Sequence, residues 1–239
     1  MVLSMPAREI IIGFDADDTL WHNQPIFERA YDRFRELLSR YHEPHPAGEV
    51  LVATEMKNLP LYGYGIKGFT LSAIETAITL SNGKISSGEL RQLLDAARDM
   101  LEHPVDLLDG VAETLAALAA DHRMIVITKG DLRDQEGKLE RSGLAGYFRH
   151  IEVVSEKESS SYGKILGRHG ISPENFLMVG NSLKSDILPV LAIGGAGAYL
   201  PYHITWIGEH AEEPVEFLDR FFKLGQMSDL PEIIRQLTL

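Results

Sequence analysis

The sequence predicts an α/β protein with a doubly wound parallel sheet and an inserted all-helical domain. Three observations support this prediction: short apolar runs recur along the chain, helical patterns lie between most of them, and one long helical stretch follows the first run. The chain has 239 residues, which is enough for one large domain or for a core with a smaller partner.

The apolar runs have the length of β-strands. The first four are near-continuous rather than alternating, which is typical of strands that are covered on both faces of a sheet. The predicted strands cover residues 9–14, 123–128, 150–154, 176–180 and 195–200. Helical patterns lie between the last four strands, and such alternation favours a parallel, Rossmann-like sheet. We therefore predict a core made of residues 1–20 and 105–239.

The stretch between the first two strands is far longer than one crossover helix requires. Its apolar spacing predicts helices, which we place at residues 26–41, 49–57, 69–80 and 86–101, with breaks at 42–48, 58–68 and 81–84. Residues 21–104 are therefore predicted to form an inserted helical domain. Residues 212–239 are expected to form one or two further helices, with Pro231 in a first turn.

Composition and charge exclude several classes of protein. The chain has no cysteine, which excludes disulfide scaffolds, cysteine-ligated metals and thiol catalysis, and which fits a reducing, cytoplasmic location. The net charge of −12 disfavours a broad nucleic-acid interface. The apolar runs are too short to span a membrane, and residues 1–8 show no secretion signal. We expect a small-molecule partner, no nucleic acid and no membrane, while the oligomeric state is not predicted.

A cluster of acids, DADDTL at residues 15–20, directly follows the first strand. Ligands of open α/β sheets bind beyond the carboxyl ends of the strands, so Asp15 and Asp17 stand where a site is expected. Two such carboxylates can divide their work, one as nucleophile or metal ligand and the other as acid and base. The alternative is a polar turn that caps the next helix. A calcium loop fits poorly, because it requires Gly and Glu where this chain has Leu20 and Ile26.

Polar residues also follow the next three strands. The hydroxyl of Thr128 and the turn that begins at Lys129 can cradle an anion, so both are predicted to bind one. Lys157 lies beyond the third strand, and GNSLKSD at 180–186 brings Asp186 to the end of the fourth. Each residue alone has an ordinary interpretation, as a helix cap, a solvated charge or a first-turn acid. Their common placement at strand ends favours one anion-binding site.

These motifs in this order resemble the haloacid dehalogenase-like superfamily, and residues 21–104 resemble its helical cap. The resemblance implies that Asp15 is a nucleophile that forms an aspartyl-phosphate. Asp17 would protonate the leaving oxygen and then deprotonate the hydrolytic water. Thr128 and Lys157 would hold the phosphoryl oxygens, with Lys164 as the alternative to Lys157.

The resemblance also implies a Mg²⁺ ion. Its ligands would be the Asp15 carboxylate, the Asp17 backbone carbonyl and Asp186. Asn181 stands where many members carry an acid, and its carbonyl oxygen could bind the metal or anchor a metal-bound water. Ser182 would lie beside it, just outside the reacting groups.

An acid at position 17 favours phosphate-ester hydrolysis over carbon–halogen cleavage, because an alkoxide leaving group must be protonated and the dehalogenases of the superfamily use no acid there. We therefore expect a Mg²⁺-dependent phosphatase that acts on a small soluble phosphomonoester. A phosphomutase or phosphotransferase would share every motif, and a non-catalytic ligand-binding protein is the further alternative.

A glycine-rich segment at residues 63–68 matches the dinucleotide motif G-x-G-x-x-G. The motif requires a preceding buried strand, and the polar residues before this segment do not predict one. We interpret it as a loop between helices. One hypothesis remains for it: Tyr62, Tyr64 and Lys67 face the site and recognise the leaving group of the substrate.

Overall fold

The computed structural model describes residues 9–238 as a six-stranded parallel sheet flanked by helices. The strands are β1 Ile11–Phe14, β2 Met124–Lys129, β3 His150–Val154, β4 Phe176–Gly180, β5 Ala196–Tyr199 and β6 Phe221–Lys223. They are arranged in the order β3-β2-β1-β4-β5-β6. The predicted doubly wound α/β fold is confirmed, and so are its five predicted strands. The expectation about a secretion signal in residues 1–8 lies outside the described residues.

No polar side chain interrupts β1, β4 or the part of β2 up to Ile127, because alternate side chains enter different cores. In β1, Ile12 and Phe14 join the core on one face of the sheet, whereas Ile11 joins the core on the other. Helices α5 (Val111–Leu118), α6 (Leu132–Arg141) and α9 (Leu230–Thr238) contribute to the first core, and α7 (Ser159–His169) and α8 (Leu188–Ala192) pack on the opposite face. Because both faces are covered, the ends of the strands are where a site can open.

The C-terminal segment differs from the prediction that residues 212–239 form helices only. Within its described part, up to residue 238, it contains β6 before α9, and β6 pairs with β5 through Gly197 and Phe221. A strand of three residues is too short to show a period of two, so tertiary pairing rather than local pattern creates it. Pro231 lies in the first turn of α9, as predicted.

Four helices occupy the chain between β1 and α5: α1 Gln24–Leu38, α2 Pro44–Tyr62, α3 Ile66–Leu80 and α4 Ser87–Leu101. They pack around an apolar cluster of their own that includes Phe34, Leu51 and Phe69. The predicted breaks at 42–48 and 58–68 are too long, since α2 begins at Pro44 and continues to Tyr62. A proline in a first turn costs no hydrogen bond, which explains the early start.

The two connections between this helical insert and the core run side by side. Trp21 pairs with Leu107 in an antiparallel bridge, and the His22 N–H donates to the Asp106 carbonyl at 2.9 Å. The domain boundaries at residues 20 and 105 remain a prediction. Within residues 9–238, no helix has both the length and the apolar character needed to cross a bilayer.

Candidate active site

The acids in the loop after β1 make different contacts. Asp18 has a left-handed backbone with φ of +60°. Its carboxylate accepts hydrogen bonds from the N–H groups of Asn23 at 2.8 Å and Gln24 at 2.9 Å, where α1 begins. Asp18 therefore has the helix-capping role that the sequence left as an alternative for this group of acids. Asp15 and Asp17 make other contacts, and both line a cavity at the carboxyl ends of the strands.

A buried lysine joins two of the predicted acids. The Lys157 ammonium donates to Asp15 Oδ1 and, at 2.7 Å, to Asp186 Oδ1. Burial would lower the pKa of Lys157, but the two carboxylates outweigh burial and raise that pKa above its usual value. Lys157 is therefore a fixed cation between two carboxyl groups. Lys164, the alternative, is exposed on α7.

Glycine allows this close packing at the end of β4. A Cβ on Gly180 would lie 2.6 Å from Asp186 Cβ and would overlap the Asp186 carboxylate. Asp186 also accepts the Ser182 N–H at 3.0 Å, so both of its oxygens have donors. The chain returns toward β1 through Asn181, whose N–H donates to Thr19 Oγ1 at 3.1 Å. Asn181 and Ser182 therefore lie beside the acids.

Asp17 is held by three donors. Lys138 Nζ and Trp21 Nε1 both lie 2.7 Å from Asp17 Oδ1, and Gln135 Nε2 lies 2.8 Å from Oδ2. Burial would raise the pKa of Asp17, but the charge of Lys138 and the three hydrogen bonds bring it below its ordinary value. Asp17 is therefore an anion in this arrangement.

Thr128 and Lys129 lie at the end of β2, in the same cavity. Thr128 Oγ1 donates to the Lys129 carbonyl at 3.2 Å. The Lys129 ammonium donates to the Glu209 carboxylate and to Ser185 Oγ at 3.0 Å, and it lies 4.1 Å from the centre of the Tyr64 ring. Lys129 is thus neutralised by an acid that the sequence did not single out.

The structure brings most of the predicted residues to one cavity of about 180 Å³. The predicted residues that line it are Asp15, Asp17, Thr128, Lys129, Lys157, Asn181, Ser182, Asp186, Tyr62 and Tyr64. Lys67 is not among the lining residues, and its ammonium lies 2.9 Å from Asp131 Oδ1.

Several lining residues were missed from the sequence. Gln135 and Lys138 lie three positions apart on the buried face of α6, and polar residues on a buried helix face are a signal that could have found them. Glu209 and Trp206 come from the connection between β5 and β6. No local pattern marks them, because only the fold brings that connection over the site.

The donors present suit a hard cation. Within residues 9–238, no group of three His, Cys, Asp or Glu side chains is placed to hold a metal. The cavity nevertheless has the carboxylates of Asp15 and Asp186 near the Asn181 amide. Mg²⁺ is commonly held by one or two carboxylates together with water and substrate phosphate, so these oxygens fit it.

The fold and the site together define an α/β enzyme with an acid–lysine centre at the carboxyl ends of a parallel sheet. The sequence model of haloacid dehalogenase-like hydrolases matches residues 11–194. The crystal structure of a haloacid dehalogenase-like family hydrolase from Xanthomonas campestris is 42% identical, with a TM-score of 0.86, over 97% of this chain and 93% of that one. This chain belongs to the haloacid dehalogenase-like hydrolase family, so it is a hydrolase and the resemblance is confirmed.

Two curated relatives carry more specific names. The N-acylneuraminate-9-phosphatase of Mus musculus is 25% identical over 97% of this chain and 96% of its own length. The pyrimidine 5'-nucleotidase YjjG of Escherichia coli strain K12 is 25% identical over 66% of this chain and 73% of its own length. Both names describe hydrolysis of phosphate esters on different alcohols.

Proposed function

We propose that this chain is a Mg²⁺-dependent phosphatase of small phosphomonoesters, with Asp15 as the nucleophile. One observation carries the proposal: Asp15 and Asp186 share the ammonium of Lys157 in a cavity that Thr128 also lines. A carboxylate beside a fixed cation suits attack on an anion, because the cation offsets the repulsion between carboxylate and phosphoryl group. The phosphatase and nucleotidase relatives support the same chemistry.

The reaction would proceed in two displacements. A carboxylate oxygen of Asp15 attacks phosphorus, the bond between phosphorus and the ester oxygen breaks, and an aspartyl-phosphate forms. Water then attacks that phosphorus, which releases inorganic phosphate and restores the carboxylate. Lys157 and Thr128 hold the phosphoryl oxygens through both displacements.

Asp17 would move the protons. The free site holds Asp17 as an anion, which suits its role as the base that takes a proton from the hydrolytic water. In the first displacement it would act as an acid toward the leaving oxygen. The negative charge of an incoming phosphoryl group raises the pKa of a neighbouring carboxyl, so substrate binding itself favours the protonated form.

The proposed Mg²⁺ would be held by the Asp15 carboxylate, the Asp17 backbone carbonyl and Asp186, with Asn181 as an additional oxygen donor. When bound, this ion would supply positive charge that stabilises the oxygens of the transferring group. Asp186 would then serve both the ion and Lys157, which explains why a buried acid is required there.

We further propose that the helical insert α1–α4 acts as a cap over the site. Tyr62 and Tyr64 reach the cavity from the end of α2 and the loop that follows it, while the acids come from the core. Closure would exclude water from the first displacement. A reducing compartment such as the cytoplasm fits the cysteine-free chain.

A phosphate-release assay tests this function. The wild type, supplied with p-nitrophenyl phosphate and Mg²⁺, should release free phosphate, which separates hydrolysis from transfer to a second alcohol. EDTA should abolish the activity and added Mg²⁺ should restore it. Asp15→Asn should lower kcat by at least about a thousandfold.

The matched control is Asp121→Asn, the same chemical change at an exposed position far along the chain. It should retain the wild-type rate. A wild-type rate in Asp15→Asn would refute the nucleophile.

A further inference from the structure

The helical insert supplies one wall of the cavity, and this wall carries the carboxyl group of Glu55. Glu55 on α2 accepts a hydrogen bond from the Tyr31 hydroxyl on α1, and both residues line the cavity. Within the described residues, no lysine, arginine or histidine forms an ion pair with Glu55. Its carboxylate is therefore an acceptor with capacity for one more donor.

A second acceptor lies one helical turn further along α2. Asn58 is buried, and its Nδ2 donates to Glu75 Oε2 at 2.7 Å and to Ser72 Oγ at 3.3 Å. These two partners determine the orientation of the amide, because only its nitrogen can donate. The Asn58 Oδ1 atom is then left as an acceptor, and no described residue donates to it.

The cations of the cavity are all neutralised near the reacting centre. The lining lysines are Lys129, Lys138 and Lys157. Lys157 is shared by Asp15 and Asp186, Lys138 lies 2.7 Å from Asp17, and Lys129 is paired with Glu209. Among the described residues 9–238, no lining cation is left to neutralise a negative charge on the part of the substrate that is not phosphate.

We propose that the alcohol part of the substrate carries a hydrogen-bond donor, an amine or a hydroxyl group, and no second negative charge. An ammonium group would satisfy both Glu55 and Asn58, whereas a carboxylate there would face an unpaired carboxylate at low dielectric. The class that fits is a small amino-alcohol or amino-sugar phosphate. This inference rests on the proposed function, since it names the substrate class of the same site.

The inference separates this chain from a relative that it resembles over its whole length. An N-acylneuraminate phosphate carries a carboxylate on its sugar, and the mouse relative is named for that substrate. As far as the structure describes the chain, the insert wall offers such a carboxylate two acceptors and no cation. We therefore expect the alcohol specificity of the two proteins to differ.

Substrate pairs of similar size that carry opposite charges on the alcohol part test the proposal. Phosphoethanolamine and phosphoglycolate have similar size, as do glucosamine 6-phosphate and 6-phosphogluconate. The assay is run at about pH 8, because burial raises the pKa of Glu55 to about 7 and the group is then mostly ionised. We expect kcat/KM for each amine to exceed that for its acidic counterpart by about tenfold or more.

The variant Glu55→Gln keeps the shape and removes the charge, so it should reduce this preference toward unity. Glu49→Gln makes the same change on an exposed part of the same helix and should keep the wild-type preference. A preference for the acidic substrates, or an amine preference that Glu55→Gln leaves unchanged, would overturn the proposal. The wild-type ratios test it even if Glu55→Gln fails to fold.

Binding separates this inference from the proposed function. Calorimetric titration of the Asp15→Asn protein with phosphoethanolamine and with phosphoglycolate requires no turnover. Tighter binding of the amine supports the inference even if the wild type releases no phosphate from any ester. Equal binding, or tighter binding of the acid, refutes it even if the phosphatase activity is real.

Discussion

The ammonium of Lys138 lies 2.7 Å from Asp17 Oδ1, although 121 positions separate the two residues in the chain. Lys138 stands on α6, the helix that follows β2, and Gln135 on the same helix donates to the other oxygen of Asp17. The ionisation of Asp17 therefore depends on side chains of α6, a helix in which the sequence shows no recognised motif.

Replacement of Lys138 should change the pKa of Asp17. Lys138→Met removes the cation, so the pKa of Asp17 should rise and the acidic limb of the kcat profile should move to higher pH. We expect kcat at neutral pH to fall by about tenfold to a hundredfold. Lys138→Arg keeps the charge, so its kcat at neutral pH should lie between those of Lys138→Met and the wild type. Lys164→Met, on the exposed face of α7, should leave the profile unchanged.

The stability of the protein should depend on the ionisation of Asp17. Its pKa is lowered in the folded protein, so its contribution to stability is complete above its ordinary value of 3.8 and is lost as pH falls through the lowered value. The difference in the free energy of unfolding between wild type and Asp17→Asn should therefore shrink as pH falls below about 4. Urea titrations at several pH values measure it, and a constant difference would contradict the assignment.

Because Gly180 packs closely against Asp186, the substitution Gly180→Ala should lower the catalytic rate. In Gly180→Ala the new Cβ overlaps the Asp186 carboxylate, so the acid and its bond to Lys157 must move. We expect kcat/KM to fall by about a hundredfold, the effect of a displacement of about 1 Å at a reacting centre. Gly163→Ala is the control, because an added Cβ on Gly163 meets no atom within 4 Å.

The capping role of Asp18 predicts different outcomes for two substitutions. Asp18→Ala loses the acceptor for the first N–H groups of α1 and places alanine at φ of +60°, so it should lower stability by about 1–2 kcal/mol. Asp18→Asn should have a much smaller effect, because asparagine caps helices and tolerates a left-handed backbone. Thermal unfolding compares the two, and equal losses would show that the cap contributes little.

Local pattern predicted the strands and most of the insert because burial leaves a periodic record in the chain. No polar side chain interrupts β1, β4 or the part of β2 up to Ile127, since these strands face two cores, and that record is visible without a structure. The edge strand β6 left no such record. The strand β6 forms because it pairs with β5, and the pattern of its own three residues does not predict it.

The fold class could be predicted from local pattern, and so could the placement of Asp15, Thr128, Lys157 and Asp186 at neighbouring strand ends, because parallel strands bring their carboxyl ends to one edge. The charge balance of the surrounding cavity is visible only in the folded protein. Lys138 for Asp17, Glu209 for Lys129 and the uncompensated Glu55 all follow from contacts between distant segments. The physical reason is that charge balance in a cavity depends on the distances between side chains, and separation along the chain does not record those distances.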